Sequence, residues 1–227
     1  MSLFWLFLLC PIAYGIGNIS FSFLITKLLL RKDLSNQGSG NLGATNVLRN
    51  YGFKVAIMVL LLDISKGVVP AVVGLVLFGV GKYDVLFGFG TQAGYTAAYA
   101  CGLASFLGHC FPVWNKFKGG KGVATLTGVL MVVNPLVTVV AFLCCIAFGQ
   151  ALRCGALGSF FFMTGIILWQ GFYVGAGLLA SIFLATFYFA VLFMHRTNIY
   201  RLLRGTENKV SLIKKKHHII EHEQLKQ

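Results

Sequence analysis

The sequence predicts an all-α integral membrane protein, a bundle of helices that crosses the bilayer several times. Of the 227 residues, 57% are hydrophobic and only 11% are charged, whereas a soluble protein has about 25% charged residues. The apolar runs are long enough for spans of about 20 residues each. The formal charge of +13 comes mostly from loops and from the C-terminal tail, as is typical of segments that face the cytoplasm and anionic lipid headgroups.

The first three spans are predicted at residues 3–30, 55–78 and 85–107. The first run lacks a basic leader and a small-residue cleavage site, so we interpret it as a retained span and not as a signal peptide. The cations that end it are Lys27, Arg31 and Lys32. By the positive-inside rule they lie in the cytoplasm, which places the N-terminus outside. A short outer loop with Lys82 is expected between the second and third spans.

Two charged residues, Asp63 and Lys66, lie inside the second predicted span. Their spacing puts them on one helix face, where they are expected to pair. Charged groups in the membrane face a bundle interior or a wet cavity. The pair is therefore expected either to support a functional site or to be purely structural.

The rest of the chain is predicted to cross four more times, giving seven spans, some of them short. A single crossing at 123–150 would leave the most basic part of the chain outside, against the positive-inside rule. Asn134-Pro135 breaks a helix, so we predict crossings at 123–133 and 135–150 and two more within 155–194, turning near Gln170-Gly171. The C-terminus is then cytoplasmic. Hydropathy alone also allows five spans.

A glycine-rich polar stretch, residues 108–125, interrupts the apolar sequence as GHCFPVWNKFKGGKGVAT. Its lysines and central glycines are Lys116, Lys118, Lys121, Gly119, Gly120 and Gly122. Glycines allow turns whose successive N–H groups point at one anion, and the helix predicted from Val123 adds its N-terminal dipole. The Walker A spacing is missing, which excludes that type of ATPase. The loop is either a phosphate site or a basic loop that only sets topology.

Two further polar stretches, residues 35–52 and 195–210, fall on the same predicted cytoplasmic side. With the glycine loop they offer cations, neutral hydrogen-bonding groups and two histidines at the mouth of one bundle. These residues are Ser39, Asn41, Thr45, Asn46, Arg49, His109, Lys121, His195, Asn198, Arg201 and Glu207. This inventory fits an anionic substrate, because the arginine fork binds two phosphate oxygens at once.

Several other kinds of site are not supported. Neither His109 nor His195 begins the H-x-x-x-x-D spacing of the common acyltransferase motif, and six acidic residues are too few to expect a carboxylate base or an all-carboxylate metal site. The six cysteines lie in or beside apolar runs, as expected of small packing groups. We therefore expect no metal, no cofactor and no nucleic-acid partner.

The three polar stretches together resemble a known family. SGNLGATNVLR (39–49), GHCFPVWNKFKGGKGVAT (108–125) and HRTNIYRLLRGTENK (195–209) are similar to the three signature motifs of the bacterial acyl-phosphate:glycerol-3-phosphate acyltransferases, the PlsY type. A small departure is Trp114-Asn115, where the family often has more apolar residues. Order, spacing and membrane setting also match over almost the whole chain.

The resemblance implies transfer of an acyl group from acyl phosphate to glycerol 3-phosphate, the first step of phospholipid synthesis. The products are lysophosphatidic acid and phosphate, and neither acyl-CoA nor acyl carrier protein serves as donor. It implies a multi-pass enzyme of the bacterial cell membrane whose active site faces the cytoplasm. The protein is expected to contact membrane lipids, and an enzyme that produces acyl phosphate is a possible partner. Residues 1–210 would form the transmembrane acyltransferase domain and 211–227 a basic cytoplasmic tail.

The resemblance also implies residue roles. The catalytic set is Ser39, Arg49, Lys121, His195 and Asn198. The substrate-binding set is Asn41, Thr45, Asn46, His109, Lys118, Gly119, Gly120, Gly122, Arg201 and Glu207, of which Glu207 looks structural and His109 is as readily a helix-end hydrogen bonder. In our hypothesis, the glycine-loop N–H groups hold the departing phosphate. Arg49, Lys121, Ser39 and Asn198 clamp the glycerol phosphate, and His195 or a substrate phosphate takes the proton.

Two other classes remain open at this point. A transporter or channel for a phosphorylated solute would need a polar path through both leaflets, ideally in repeated halves. A scaffold in a lipid-synthesis complex would leave the three dense polar motifs unexplained.

Overall fold

The computed structural model describes residues 4–79, 92–169 and 178–210, and this part of the chain is helical without any strand. The helices are α1 (Phe4–Gly17), α2 (Phe21–Leu24), α3 (Ala44–Tyr51), α4 (Phe53–Gly79), α5 (Gln92–Cys110), α6 (Val123–Val133), α7 (Pro135–Ala151), α8 (Gly155–Trp169), α9 (Leu178–Met194) and α10 (Arg196–Leu203). A π-helical turn at Ile25–Leu29 continues α2, and 3-10 turns lie at Leu34–Asn36 and Val113–Asn115. The predicted all-α class is confirmed.

The first predicted span is interrupted between α1 and α2, at the polar residues Asn18 and Ser20. Asn18 bridges the break, because its Nδ2 donates to the Tyr14 carbonyl at 2.8 Å and its Oδ1 accepts from the Val113 N–H at 2.6 Å. The side chain of Asn18 is 4% exposed. Its amide thus ties the break to the start of the glycine-loop segment.

Helix α4 is the central element of the fold, packing against α5 on one side and α6 on another. The crossing with α6 is close because glycines face it from both helices. A Cβ at Gly67 would overlap the Thr125 carbonyl oxygen, and a Cβ at Gly128 would overlap the Ile64 carbonyl oxygen. Small residues at such a crossing let two backbones approach within the membrane. This contact sets where α6 begins relative to α4.

The predicted break at Asn134-Pro135 is confirmed. Helix α6 ends at Val133, and α7 starts at Pro135. Proline is tolerated in the first turn because an N–H at that position has no partner within the helix. Helix α7 then packs against α8. The main apolar core joins side chains of α4 to α9, and a smaller cluster joins the segments around α2 and α3 to the start of α4.

Some sequence predictions fall outside the described residues. These are the outer loop with Lys82, the start of the third span at residue 85, the turn near Gln170-Gly171 and the tail 211–227. Helix α5 begins at Gln92 and passes the predicted end at residue 107 to reach Cys110.

Two described helical segments are long and apolar enough to cross a membrane, Phe4–Leu28 and Phe53–Gly79. A third is obtained if α9 and α10, bent by 57° at His195, are taken as one span. Helices α6, α7 and α8 are apolar but shorter. The count of seven spans and the orientation of the termini stay predictions.

Helix α10 ends in a Schellman motif at Gly205. Gly205 has φ +68°, the Thr206 N–H bonds the Arg201 carbonyl at 2.9 Å and the Gly205 N–H bonds the Leu202 carbonyl at 3.1 Å. The turn reverses the chain directly after α10. It thereby brings Glu207 back toward the helix.

The close crossing of α4 and α6 yields a stability prediction. We expect Gly128→Val to lower the thermal unfolding midpoint in detergent by several degrees, because overpacking costs about 1–3 kcal/mol or more where backbone atoms cannot move. The matched control is Gly165→Val on α8, where an added Cβ would meet nothing within 4 Å. Equal midpoints for the two variants would contradict the packing described here.

Candidate active site

A single cavity of about 460 Å³ is lined by residues from all three polar stretches. The sequence-predicted residues that line it are Ser39, Asn41, Thr45, Asn46, Arg49, His109, Lys121, Gly122, His195, Asn198 and Glu207. The whole proposed catalytic set is therefore brought together. Residues that lie more than 150 positions apart in the chain, such as Ser39 and His195, share this cavity.

The remaining predicted residues, Lys118, Gly119, Gly120 and Arg201, are absent from the cavity lining. The N–H of Gly119 donates to the Cys110 carbonyl and that of Gly120 to the His109 carbonyl, both at 3.1 Å. The expectation that these two N–H groups hold a phosphate is therefore corrected. The glycines instead let the loop lie against the end of α5, where a Cβ at either position would overlap α5 atoms.

The donors left for an anion are those of the first turn of α6. Gly122 precedes the helix with φ +79°, and the first helical bond runs from the Leu126 N–H to the Gly122 carbonyl at 2.8 Å. The N–H groups of the first turn have no partner inside their own helix. Gly122, Val123 and Ala124 line the cavity, so this helix N-terminus and its dipole meet the site.

Two cations of the site, Arg49 and Lys121, have no carboxylate within ion-pair distance among the described residues. The Arg49 guanidinium is oriented by the chain after α10, because Nη2 donates to the Asn208 carbonyl at 2.8 Å and Nε to the Lys209 carbonyl at 3.2 Å. A guanidinium has five N–H donors, so others remain for a ligand. The site holds positive charge that an anion would neutralise.

Lys121 lies in the loop before α6 and is partly buried. Burial lowers the pKa of its ammonium group to about 8; Arg201 and Arg49 act in the same direction, and Glu207 opposes them. The lowered pKa reflects the cost of burying this charge near two arginines. A bound phosphate would raise the pKa again.

A chain of polar contacts orients Asn198, which is 4% exposed. Arg201 Nε donates to Glu207 Oε2 at 3.0 Å, and Asn198 Nδ2 donates to Glu207 Oε1 at 2.7 Å. With its amide nitrogen held in this way, Asn198 Oδ1 is buried without a hydrogen-bond partner in the described part of the chain. Glu207 thus positions a side chain of the site, and Asn198 offers an acceptor that needs a donor.

His195 sits at the bend between α9 and α10 and is 2% exposed. Its Nδ1 lies 2.9 Å from the Val191 carbonyl oxygen. A carbonyl only accepts, so Nδ1 carries the hydrogen and a neutral ring has its lone pair on Nε2. The contact leaves His195, which lines the cavity, with Nε2 as an acceptor.

The first motif is organised by Asn46, which is 1% exposed. Its Oδ1 accepts from the Ser39 N–H at 3.0 Å and its Nδ2 donates to the Gln37 carbonyl at 2.9 Å. Asn46 lines the cavity, but both polar atoms of its side chain already form hydrogen bonds with the loop that precedes α3. Its main contribution is to fix the loop that carries Ser39.

The cavity also has an apolar wall, which could not be predicted from the sequence. Its residues come mainly from α4 and α7 and are Phe53, Ala56, Ile57, Leu60, Phe142, Cys145, Ile146 and Gly149. Cys145 was expected only to pack. Nothing in these runs separates cavity-lining from lipid-facing positions. The site is polar at one part of its wall and apolar at another, which suits an amphiphilic ligand.

Comparisons with known proteins identify the family to which this chain is similar. The family described as "Glycerol-3-phosphate acyltransferase" matches residues 7–205. A glycerol-3-phosphate acyltransferase of Halalkalibacterium halodurans is 42% identical over 219 residues, covering 92% of this chain and 97% of the relative. One from Thermoanaerobacter pseudethanolicus is 38% identical over 204 residues, covering 88% of this chain and 92% of the relative.

Solved structures of similar proteins support the same assignment. A crystal structure of PlsY (YgiH), described as an integral membrane glycerol 3-phosphate acyltransferase in its glycerol 3-phosphate form, has a TM-score of 0.79 and 35% identity. The alignment covers 91% of this chain and 96% of that one. The lysophosphatidic acid form of PlsY aligns with a TM-score of 0.76 at 33% identity and the same coverage. The chain is therefore an integral membrane protein that belongs to the glycerol-3-phosphate acyltransferase family.

Proposed function

We propose that this protein transfers an acyl group from acyl phosphate to glycerol 3-phosphate and releases lysophosphatidic acid and phosphate. The proposal is carried by three groups that meet in one cavity. Arg49 and Lys121 have no carboxylate partner among the described residues, and Asn198 Oδ1 has no hydrogen-bond partner there either. Glycerol 3-phosphate offers a matching group to each of them. Its phosphate can bind the two cations, and its hydroxyl groups can donate to Asn198 Oδ1. The names of the relatives and the glycerol 3-phosphate form of PlsY support the same substrate.

The phosphate of glycerol 3-phosphate is placed between Arg49 and Lys121. The two cations interact through space, since the positive charge of Arg49 makes the charge on Lys121 less favourable. A phosphate dianion would relieve that repulsion and accept charge-assisted hydrogen bonds from both groups. Ser39 lines the same cavity and adds a neutral donor.

The acyl donor is placed with its tail on the apolar wall and its phosphate at the first turn of α6. An acyl phosphate is amphiphilic and matches a cavity whose apolar wall adjoins a helix N-terminus. The donor is already activated, so the site mainly has to bring hydroxyl and carbonyl together and to stabilise the charge on the departing phosphate. Neither acyl-CoA nor acyl carrier protein is needed.

The reacting hydroxyl is placed at Asn198 and His195. Asn198 Oδ1 or His195 Nε2 accepts its hydrogen bond, and the hydroxyl oxygen attacks the acyl carbonyl carbon. The new ester bond forms as the bond between that carbon and the phosphate oxygen breaks, and the electron pair leaves with the phosphate. The proton ends on His195 or on a phosphate oxygen, so no other co-reactant is required.

In the cell we place the enzyme in the bacterial cell membrane as a multi-pass protein with the cavity open to the cytoplasm. The basic residues of the three polar stretches support this orientation by the positive-inside rule. Residues 1–210 would form the catalytic domain and 211–227 its basic tail. An enzyme that makes acyl phosphate is the partner required upstream.

The first prediction concerns the reaction itself. Purified protein with palmitoyl phosphate and glycerol 3-phosphate should release phosphate and form lysophosphatidic acid in equal amounts, and palmitoyl-CoA should give none. Arg49→Ala should lower kcat/KM for glycerol 3-phosphate by about 100-fold or more, because it removes a cation from a phosphate. Arg49→Lys is the matched control, which keeps the charge but loses the fork.

Three results would contradict this proposal. Turnover with palmitoyl-CoA alone would mean a different donor. Full activity of Arg49→Ala would remove this residue from the substrate site. Counterflow of labelled glycerol 3-phosphate into liposomes without any acyl donor would indicate a transporter.

The second prediction concerns pH. Lys121 must be protonated to bind phosphate, and the pKa of its ammonium group in the free enzyme is about 8. We expect kcat/KM for glycerol 3-phosphate to fall as pH rises through about 8, since this parameter reports the free enzyme. Bound phosphate raises the pKa of Lys121, so kcat at saturating substrate should decline only at higher pH.

Lys121→Arg provides the control for this profile, because arginine stays charged across the range. The decline near pH 8 should disappear in that variant if it retains measurable activity. An unchanged profile in Lys121→Arg would show that another group titrates.

A further inference from the structure

A buried charged cluster lies beneath the glycine loop, formed by Asp63 and Lys66 of α4 and His109 of α5. Lys66 Nζ is 2.9 Å from Asp63 Oδ1 and 2.9 Å from His109 Nδ1. The three side chains are at most 7% exposed. The predicted pairing of Asp63 with Lys66 is confirmed, and the histidine that joins them lies 43 residues further along the chain.

The donor of the Lys66–His109 contact can be assigned by counting hydrogens. An ammonium group has three N–H donors and no acceptor. The near acceptors of Lys66 Nζ are Asp63 Oδ1, the Ile19 carbonyl at 2.8 Å and His109 Nδ1, with the Gly17 carbonyl further away at 3.4 Å. All three hydrogens are thereby used. Because Lys66 Nζ cannot accept, His109 Nδ1 is the acceptor in this 2.9 Å contact, which is shorter than the 3.6 Å between Nδ1 and Asp63 Oδ1. In a neutral ring the hydrogen is then on Nε2.

The Nε2 edge of His109 faces the glycine loop. A Cβ at Gly120 would overlap Nε2, so only glycine leaves room for the ring there. His109 also lines the cavity. No acceptor for Nε2 is found within the described ranges of the chain. The Nε2 donor of this ring is therefore left unused by the described part of the chain.

The contacts of the two histidines of the site give them opposite roles. His195 Nδ1 faces the Val191 carbonyl, which leaves its Nε2 an acceptor. His109 Nδ1 faces an ammonium group, which leaves its Nε2 a donor. An acceptor suits the glycerol hydroxyl, and a neutral donor suits a phosphate oxygen.

We propose that His109 donates a hydrogen bond from Nε2 to a substrate phosphate, and that Lys66, held by Asp63, fixes the ring in the tautomer that makes this possible. Lys66 and Asp63 are thus positioning residues that act through His109. The inference rests on the function proposed above. The phosphate belongs either to acyl phosphate at the first turn of α6 or to glycerol 3-phosphate.

The test compares two amide variants of similar polarity. A glutamine amide reaches about as far as histidine Nε2, whereas an asparagine amide reaches only to the position of Nδ1. His109→Gln keeps a donor at the cavity and should lose less than about fivefold in kcat/KM. His109→Asn keeps a partner for Lys66 but no donor at the cavity. It should lose about 10- to 100-fold, the range for one hydrogen bond to a charged group.

The loss should appear mainly in KM, because the phosphate is present in both ground and transition states. A raised KM for palmitoyl phosphate would assign the donor to the acyl phosphate, and a raised KM for glycerol 3-phosphate would assign it to the acceptor substrate. Equal kinetics of the two variants would overturn the inference while the unmodified enzyme stays active. An inactive unmodified enzyme would instead reject the proposed function.

A second measurement leaves His109 unchanged, so it tests the assignment even if the His109 variants do not fold. When glutamine replaces the tail histidines His217, His218 and His222, His109 and His195 are the two histidines that remain in the chain. Nitrogen-15 spectra of histidine-labelled protein in lipid should then show one ring protonated at Nε2 and one protonated at Nδ1. Two rings protonated at Nδ1 would overturn the assignment.

Discussion

The ammonium group of Lys66 is the contact on which most of this architecture depends. A charge buried in a membrane bundle is costly unless every hydrogen finds an acceptor. Here the break between α1 and α2 frees the carbonyls of Gly17 and Ile19, and Lys66 Nζ lies within hydrogen-bond distance of both. The same nitrogen contacts Asp63 on α4 and His109 on α5. One side chain therefore connects the interrupted first span, the central helix and the helix that leads into the glycine loop.

The substrate site differs from the Lys66 cluster, because its positive charges are not neutralised by nearby carboxylates. Arg49 and Lys121 lack carboxylate partners among the described residues, while both buried carboxylates near the cavity are occupied, Asp63 by Lys66 and Glu207 by Arg201. The two cations, the N-terminus of α6 and Asn198 Oδ1, which has no partner in the described part of the chain, form a preorganised electrostatic environment. Such a site is unfavourable when empty and favourable with a phosphate ester in place. An activated donor then needs little more than correct placement.

Much of this could be predicted from the sequence, and the reasons are local. The break at Asn134-Pro135 follows from proline chemistry, and the Asp63–Lys66 pair follows from helical spacing. The convergence of the three polar stretches could be expected from their shared side of the membrane and from the family resemblance. In each case the relevant partner is close in sequence or the whole motif is diagnostic.

The features that could not be predicted depend on tertiary contacts. The sequence of the glycine loop gives no sign that Gly119 and Gly120 direct their N–H groups to carbonyls at the end of α5. His109 joins Lys66 only because α4 and α5 cross at that level. The apolar wall from α4 and α7 carries no motif, since cavity-facing and lipid-facing positions have the same composition.

The most direct test of the central claim is a structure of the protein crystallised from a lipid phase with glycerol 3-phosphate. We expect the phosphate oxygens within about 2.7–3.2 Å of both Arg49 and Lys121, with a glycerol hydroxyl donating to Asn198 Oδ1 or His195 Nε2. A phosphate held by the exposed Lys116 and Lys118, with the cavity left empty, would contradict it.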